Sequence, residues 1–216
     1  MGEDLFGQFS IESLPNEQWY PLRRVLQKGF RLIQFKKFVP IVVEKSEEVM
    51  KQMMSYEGAV DVLPILQNLT VDLNIRFTIG VNQDMIGDRG IGFTSNLAFL
   101  GEHVLWRAIF FDIIQYWKYI RGPADRKFDK IISEFDSLVD EFVEERKMMT
   151  ESELEKKNDI LSQLLLISDL DHETIRHNIR SLMLAGDTTS SALSWSLYRL
   201  CENPDWQKKI RHEAQE

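Results

Sequence analysis

At 216 residues and 25.4 kDa the chain is long enough for one sizeable core, and 44% hydrophobic against 28% charged residues is too apolar for a disordered polypeptide. A formal net charge of -8 gives it no electrostatic reason to bind a nucleic-acid backbone or an anionic membrane face. One cysteine, Cys201, excludes an internal disulfide framework and fits a reducing compartment.

In chain order, Met1-Gly2-Glu3-Asp4-Leu5 lacks the basic and then apolar regions of a signal peptide, and no later run of about 18 apolar residues follows to span a bilayer. A helix after Asn16 carries Trp19 to Leu26, with Pro21 expected in its first turn, where a missing N–H costs nothing. Pro40 is expected to open the next helix, to about Met54, with Val42, Val43, Val49, Met50 and Met53 on one side. A third runs from about Asp61 to Phe77 with Leu63, Leu66, Leu69 (or Thr70) and Leu73 on one face, Pro64 in its first turn and Gly80 as its stop. Asn68-Leu69-Thr70 matches a glycosylation triplet, but inside a helical pattern it reads as chance.

Asn82 to Thr94 reads as a glycine-rich loop, and Leu97 to Tyr119 as a helical stretch dense in aromatics, ended by Gly122-Pro123. Its Phe99, Trp106, Phe110, Phe111, Tyr116, Trp117 and Tyr119 are read as core before pocket, since aromatic side chains usually pack. Asp125 to Met149 gives a strong amphipathic signal, with Phe128, Ile131, Ile132, Phe135, Leu138, Val139, Phe142 and Val143 in one stripe. Thr150 to Asn158 is charged and reads as a solvated loop. Ile160 to Ile167 is a short apolar helix before the turn Ser168-Asp169-Leu170-Asp171. Asp171 is the N-cap of a helix expected to continue to about Glu202, where Asn203-Pro204 stops it and Pro204-Asp205 opens another. The chain as a whole reads as all-α.

The interior of that long helix is unusual: Ala185-Gly186-Asp187-Thr188-Thr189-Ser190-Ser191-Ala192. Glycine inside a helix costs roughly 1 kcal/mol relative to alanine, and hydroxyl or β-branched residues add smaller penalties. Such local violations tend to mark functional sites. The run offers a small surface for a flat ligand, hydroxyls that can bond back to carbonyls and bend the helix, and a carboxylate beside a threonine. It equally suits close approach of a second helix. On the run alone both readings stand.

Its surroundings separate them. Leu182-Met183-Leu184-Ala185-Gly186-Asp187-Thr188-Thr189-Ser190-Ser191-Ala192-Leu193-Ser194-Trp195 resembles the central I helix of the cytochromes P450, whose pattern is Ala/Gly-Gly-x-Asp/Glu-Thr-Thr/Ser. Leu197 to Pro204 is similar to the end of that helix and the start of the next. Trp19-x-x-x-Arg23, followed by Arg24, resembles the family's C-helix motif, and Val143 to Lys147 falls where many members end their G helix. The resemblance runs from about Leu5 to Glu216 with its two motifs in the family's order.

The resemblance implies a haem-dependent monooxygenase that inserts one oxygen atom from O2 into a lipophilic organic substrate, with electrons from NADPH through a redox partner reductase. It implies that Trp19 and Arg23 hold a haem propionate, as an indole N–H and a guanidinium fork can. Ala185 and Gly186 would give haem b (iron protoporphyrin IX) room, and Asp187 and Thr188 would be the catalytic pair that delivers protons during dioxygen cleavage. For Trp19 and Arg23 the alternative is an ordinary amphipathic helix face. Cys201, in a helical Tyr-Arg-Leu-Cys-Glu-Asn-Pro context, reads as a buried structural cysteine and not as the iron ligand. His103, His172, His177 and His212 show no metal-ligand spacing, and Glu144, Glu145 and Glu173 read as a solvated face.

Two departures stand out. In the family one residue separates glycine from acid, whereas Gly186 touches Asp187 directly. Either one residue is missing after Gly186, which turns the helix halves by about 100° against each other, or Ala185 takes the glycine position with Gly186 as spacer and Leu184 in the small-residue slot. Second, the family's Glu-x-x-Arg motif and cysteine-ligand loop lie past Glu216, and its N-terminal anchor and first sheet precede these residues. The expectation is therefore a single, incomplete domain over residues 1–216. It is the helical part of the fold, lacking the N-terminal sheet region and the C-terminal haem-ligand region, with the axial cysteine outside the chain. A full-length eukaryotic protein would sit in the endoplasmic reticulum membrane through that anchor. The alternative function is a non-catalytic helical interaction protein that docks a partner helix on the stripe Phe128 to Val143.

Overall fold

Helices alone make up the regular structure of the residues that the computed structural model describes, 2–28, 30, 32–81, 93–111, 120–157, 159–167 and 170–215. In chain order they are α1 (Gly2–Phe6), α2 (Asn16–Leu26), α3 (Leu32–Met54), α4 (Val62–Ile79), α5 (Phe93–Phe111) and α6 (Pro123–Lys147). Then come α7 (Glu151–Lys156), α8 (Ile160–Leu165), α9 (His172–Leu184), α10 (Gly186–Glu202) and α11 (Pro204–Glu213). The all-α reading holds. Of the expected loop Asn82 to Thr94, residues 82–92 lie outside the described residues and Phe93 and Thr94 begin α5; residues 112–119 of the aromatic stretch also lie outside.

The boundaries follow local chemistry. Asp61, Asp159 and Asp171 each cap a helix by accepting a backbone N–H, from Leu63, Ser162 and Thr174 respectively. Gly80 ends α4 at φ 78°, where a side chain would be strained. Gly122 and Pro123 start α6, and Asn203 separates α10 from α11.

Several expectations need correction. Pro21 and Pro40 lie inside α2 and α3, not in their first turns; both are exposed, so the carbonyls they leave unpaired can reach water. The charged segment after Thr150 is a helix, α7, because Thr150 and Glu153 form a reciprocal capping box. The long helix from Asp171 is broken at Ala185 into α9 and α10.

The stripe expected on α4 is also displaced. Leu66 and Thr70 are buried as expected, but Leu63 is 37% exposed, and Val71, Ile75 and Ile79 are fully buried. The reason is that α4 lies at the centre and touches α3, α5, α8, α9 and α10, so no single stripe covers its contacts. On α3, Val42, Val49 and Met53 are partly covered, while Val43 and Met50 remain exposed. The α6 stripe is as expected: Phe128, Ile131, Phe135, Val139, Phe142 and Val143 are buried and join Ile175, Ile179 and Met183 of α9 in one core. That stripe is therefore occupied inside this chain, which removes the docking surface of the interaction-protein reading.

Candidate active site at the helix break

The site forms where α4 crosses the junction of α9 and α10. Three residues of α4, spaced i, i+4 and i+7, meet it on one face: Gln67, Val71 and Asn74. Gly186 is buried at the crossing, where an added Cβ would stand 3.2 Å from Val71 Cα and 3.3 Å from Thr70 O. Close helix approach, one of the two readings of the small-residue run, is thus Gly186's role here. Ala185 is exposed on the other side, and so are Thr188 and Thr189.

The hydroxyls of the run turn back onto the backbone. Thr188 Oγ1 donates to Ala185 O at 3.1 Å, Ser190 Oγ to Asp187 O at 2.6 Å and Ser194 Oγ to Ser190 O at 2.9 Å. Such bonds offer carbonyls a partner other than the helix ladder and bend helices. The carbonyls at the end of α9 are met from outside: Asn74 Nδ2 donates to Leu182 O and, at 3.2 Å, to Met183 O. Asp187, half-buried, accepts from Gln67 Nε2 at 2.9 Å. Asp187 and Thr188 are therefore neighbours in sequence with different partners, one held by α4 and the other on the open side.

Trp19 and Arg23 lie one turn apart on the exposed face of α2, with Trp19 39% exposed. Neither side chain has a hydrogen-bond or ion-pair partner among the described residues. The helix that carries them, α2, packs on α8. Cys201 is exposed near the end of α10, not buried as expected, because α11 leaves an open groove beside it. Gln67 and Asn74 escaped the sequence reading. Amides on the crossing face of an apolar helix were the visible signal, but their partners lie 120 and 108 residues away.

The family profile for Cytochrome P450 matches residues 5–216. Echinocystic acid 23-monooxygenase of Saponaria officinalis is 26% identical over 94% of this chain and 42% of its own length. The bifunctional cytochrome P450/NADPH–P450 reductase of Bacillus cereus is 40% identical over 41% of this chain and 9% of its own length. A cyanobacterial cytochrome P450 solved with retinoic acid bound has the same fold over 97% of this chain and 45% of its own, with a TM-score of 0.79 at 15% identity. The chain spans about two fifths of the curated relatives it matches along its length, 41% and 42% of the first two. The matched residues, the shared fold and the Ala185–Thr188 break with its partners make one conclusion: this chain belongs to the cytochrome P450 family.

Proposed function

We propose that residues 1–216 are part of a single haem-dependent monooxygenase domain that inserts one oxygen atom from O2 into a lipophilic organic substrate. The observation that carries this reading is the opened helix at Ala185, with the Thr188 hydroxyl turned onto the Ala185 carbonyl and Asp187 beside it. Bound haem would supply the redox chemistry. The chain's own residues supply the rest. Trp19 and Arg23 offer an indole N–H and a guanidinium to a propionate. Ala185 keeps the open side of the break small, and Gly186 contributes by setting α4 against it rather than by facing the group. Asp187 and Thr188 hold and pass protons between the α4 side and the open side of α10.

The family's cysteine ligand has no counterpart here, since Cys201 occupies the end of α10 beside α11. Electrons from NADPH through a reductase are supported by the relative that carries both activities in one name. Endoplasmic-reticulum attachment of a full-length eukaryotic protein belongs to the same proposal. No helix of the described residues is long and apolar enough to cross a membrane.

The test is the full-length chain loaded with haem. Carbon monoxide after reduction is expected to give the absorption shift of a thiolate-bound haem, and Thr188→Ala is expected to keep that shift while losing about tenfold or more in product formed per NADPH consumed. A full-length chain without the shift overturns the reading.

A further inference from the structure

Resting on that reading, we infer that Asn74 and Gln67 are positioning residues: α4 holds the α9–α10 break open through Asn74 and holds the Asp187 carboxylate in place through Gln67. In an unbroken helix Leu182 O and Met183 O would accept the N–H groups four residues on, those of Gly186 and Asp187. A side-chain amide has two N–H donors, and Asn74 directs its amide at these same two carbonyls. It thus meets both acceptors of the broken turn, adding to the Ala185 N–H that already reaches Leu182 O at 3.3 Å, and lessens the need that would otherwise favour closing the turn.

Seven residues earlier on the same face, Gln67 donates at 2.9 Å to Asp187 Oδ1. Between them Gly186 lets the α4 backbone come close enough for both amides to reach. Three contacts of one helix face therefore set the geometry of a junction 108 to 120 residues away in sequence. The junction has no residue between glycine and acid, and α4 is the element that fixes its phase. Asp187 is held on the α4 side, about 100° around α10 from Thr188, through one carboxylate oxygen only, which leaves the other for a proton.

Two measurements on the full-length, haem-loaded protein test this. The first is a double-mutant cycle of Gln67→Leu and Asp187→Asn in urea unfolding. The effects of the single changes on the unfolding constant are expected not to multiply, with a discrepancy of at least about threefold. Gln67→Leu is further expected to lower product per NADPH without changing substrate-binding affinity, and Gln67→Lys, which can still donate, to restore it.

The second is amide hydrogen exchange in Asn74→Leu, or in Asn74→Ala where leucine does not fit. If Asn74 holds the break open, the turn closes and exchange at Gly186 and Asp187 slows by about tenfold; faster or unchanged exchange overturns the role, since a plain cap would only fray. Multiplying effects in the cycle overturn the Gln67 role while the carbon monoxide signature stands. A non-multiplying cycle in a chain that shows no such signature removes the monooxygenase reading, and the proton-positioning role with it.

Discussion

Gly186 presents two opposed effects at one atom. Alanine there would gain up to about 1 kcal/mol of helix propensity, less at the first position of α10 than in an interior. Against this, its Cβ would stand 3.2 Å from Val71 Cα and 3.3 Å from Thr70 O, both backbone atoms of α4 that cannot swing aside. Overpacking of this kind costs about 1–3 kcal/mol. We therefore expect Gly186→Ala to destabilise by about 1 kcal/mol, read as a lower urea midpoint at unchanged slope. A stabilised variant would contradict the close crossing. Residue-scale features of this chain were legible where their cause is local. Asp171 and Gly80 announce themselves as a helix start and stop because the groups they satisfy lie within a few residues. The Gly186 contact was not, because the atoms it meets belong to Thr70 and Val71.

Among the elements, the segment from Gly7 to Ile11 is clasped to α9 by two neighbouring side chains. Phe9 N–H donates to His177 Nδ1 at 3.3 Å, while Ile11 N–H donates to Asn178 Oδ1 at 3.0 Å and Asn178 Nδ2 to Phe9 O at 2.9 Å. Only a neutral imidazole can accept at Nδ1. Burial, helped by the Arg180 and Arg176 charges and opposed by Asp136 and Glu173, holds His177 below its ordinary value. A depressed folded value means that the clasp's stability is full above the ordinary histidine range, about 6.5, and is lost as pH falls through the lower folded value. Amide exchange corrected for its intrinsic pH dependence should accelerate at Phe9 on acidification over that window, and Ile11, held by a non-titrating amide, should lag behind. Equal responses at both amides would show that His177 is not the trigger. Neither α1 nor this clasp was readable beforehand. Helix periodicity reveals long amphipathic elements such as α6, but a five-residue helix and a clasp spanning 168 residues carry no period. The break at Ala185 was half legible: the run Ala185 to Ala192 signalled a weak helix, and only packing on α4 determined where it would part.

At the scale of the whole molecule, apolar surface remains uncovered on α10 and α11. Trp195 is 67% exposed and Trp206 57%, with Leu197, Tyr198 and Ile210 also exposed. Leu197, Trp206 and Ile210 line two grooves between these helices that share Leu200 and Ile210, while Trp195 meets Tyr198 edge to face on α10. Large exposed patches on soluble monomers mark surfaces that something covers. Fully burying one large apolar side chain stabilises by roughly 1.5–3 kcal/mol, and these are already about half covered. Covering five of them once thus gives several kcal/mol, comparable to the 4–15 kcal/mol or so that association costs. The 216-residue chain by itself should accordingly self-associate weakly. Its weight-average mass in sedimentation equilibrium should rise from about that of a monomer only at high protein concentration. Trp195→Glu with Trp206→Glu should hold it at the monomer mass, because each carboxylate would lose its hydration in the contact. In a polypeptide of the relatives' length, of which this chain corresponds to 41% and 42% in the first two, the same two tryptophans should be protected from hydroxyl-radical labelling. A chain that stays monomeric with both tryptophans labelled, and that keeps them labelled at the longer length, would mean that this face is solvent surface in its own right and that the rest of the domain packs elsewhere.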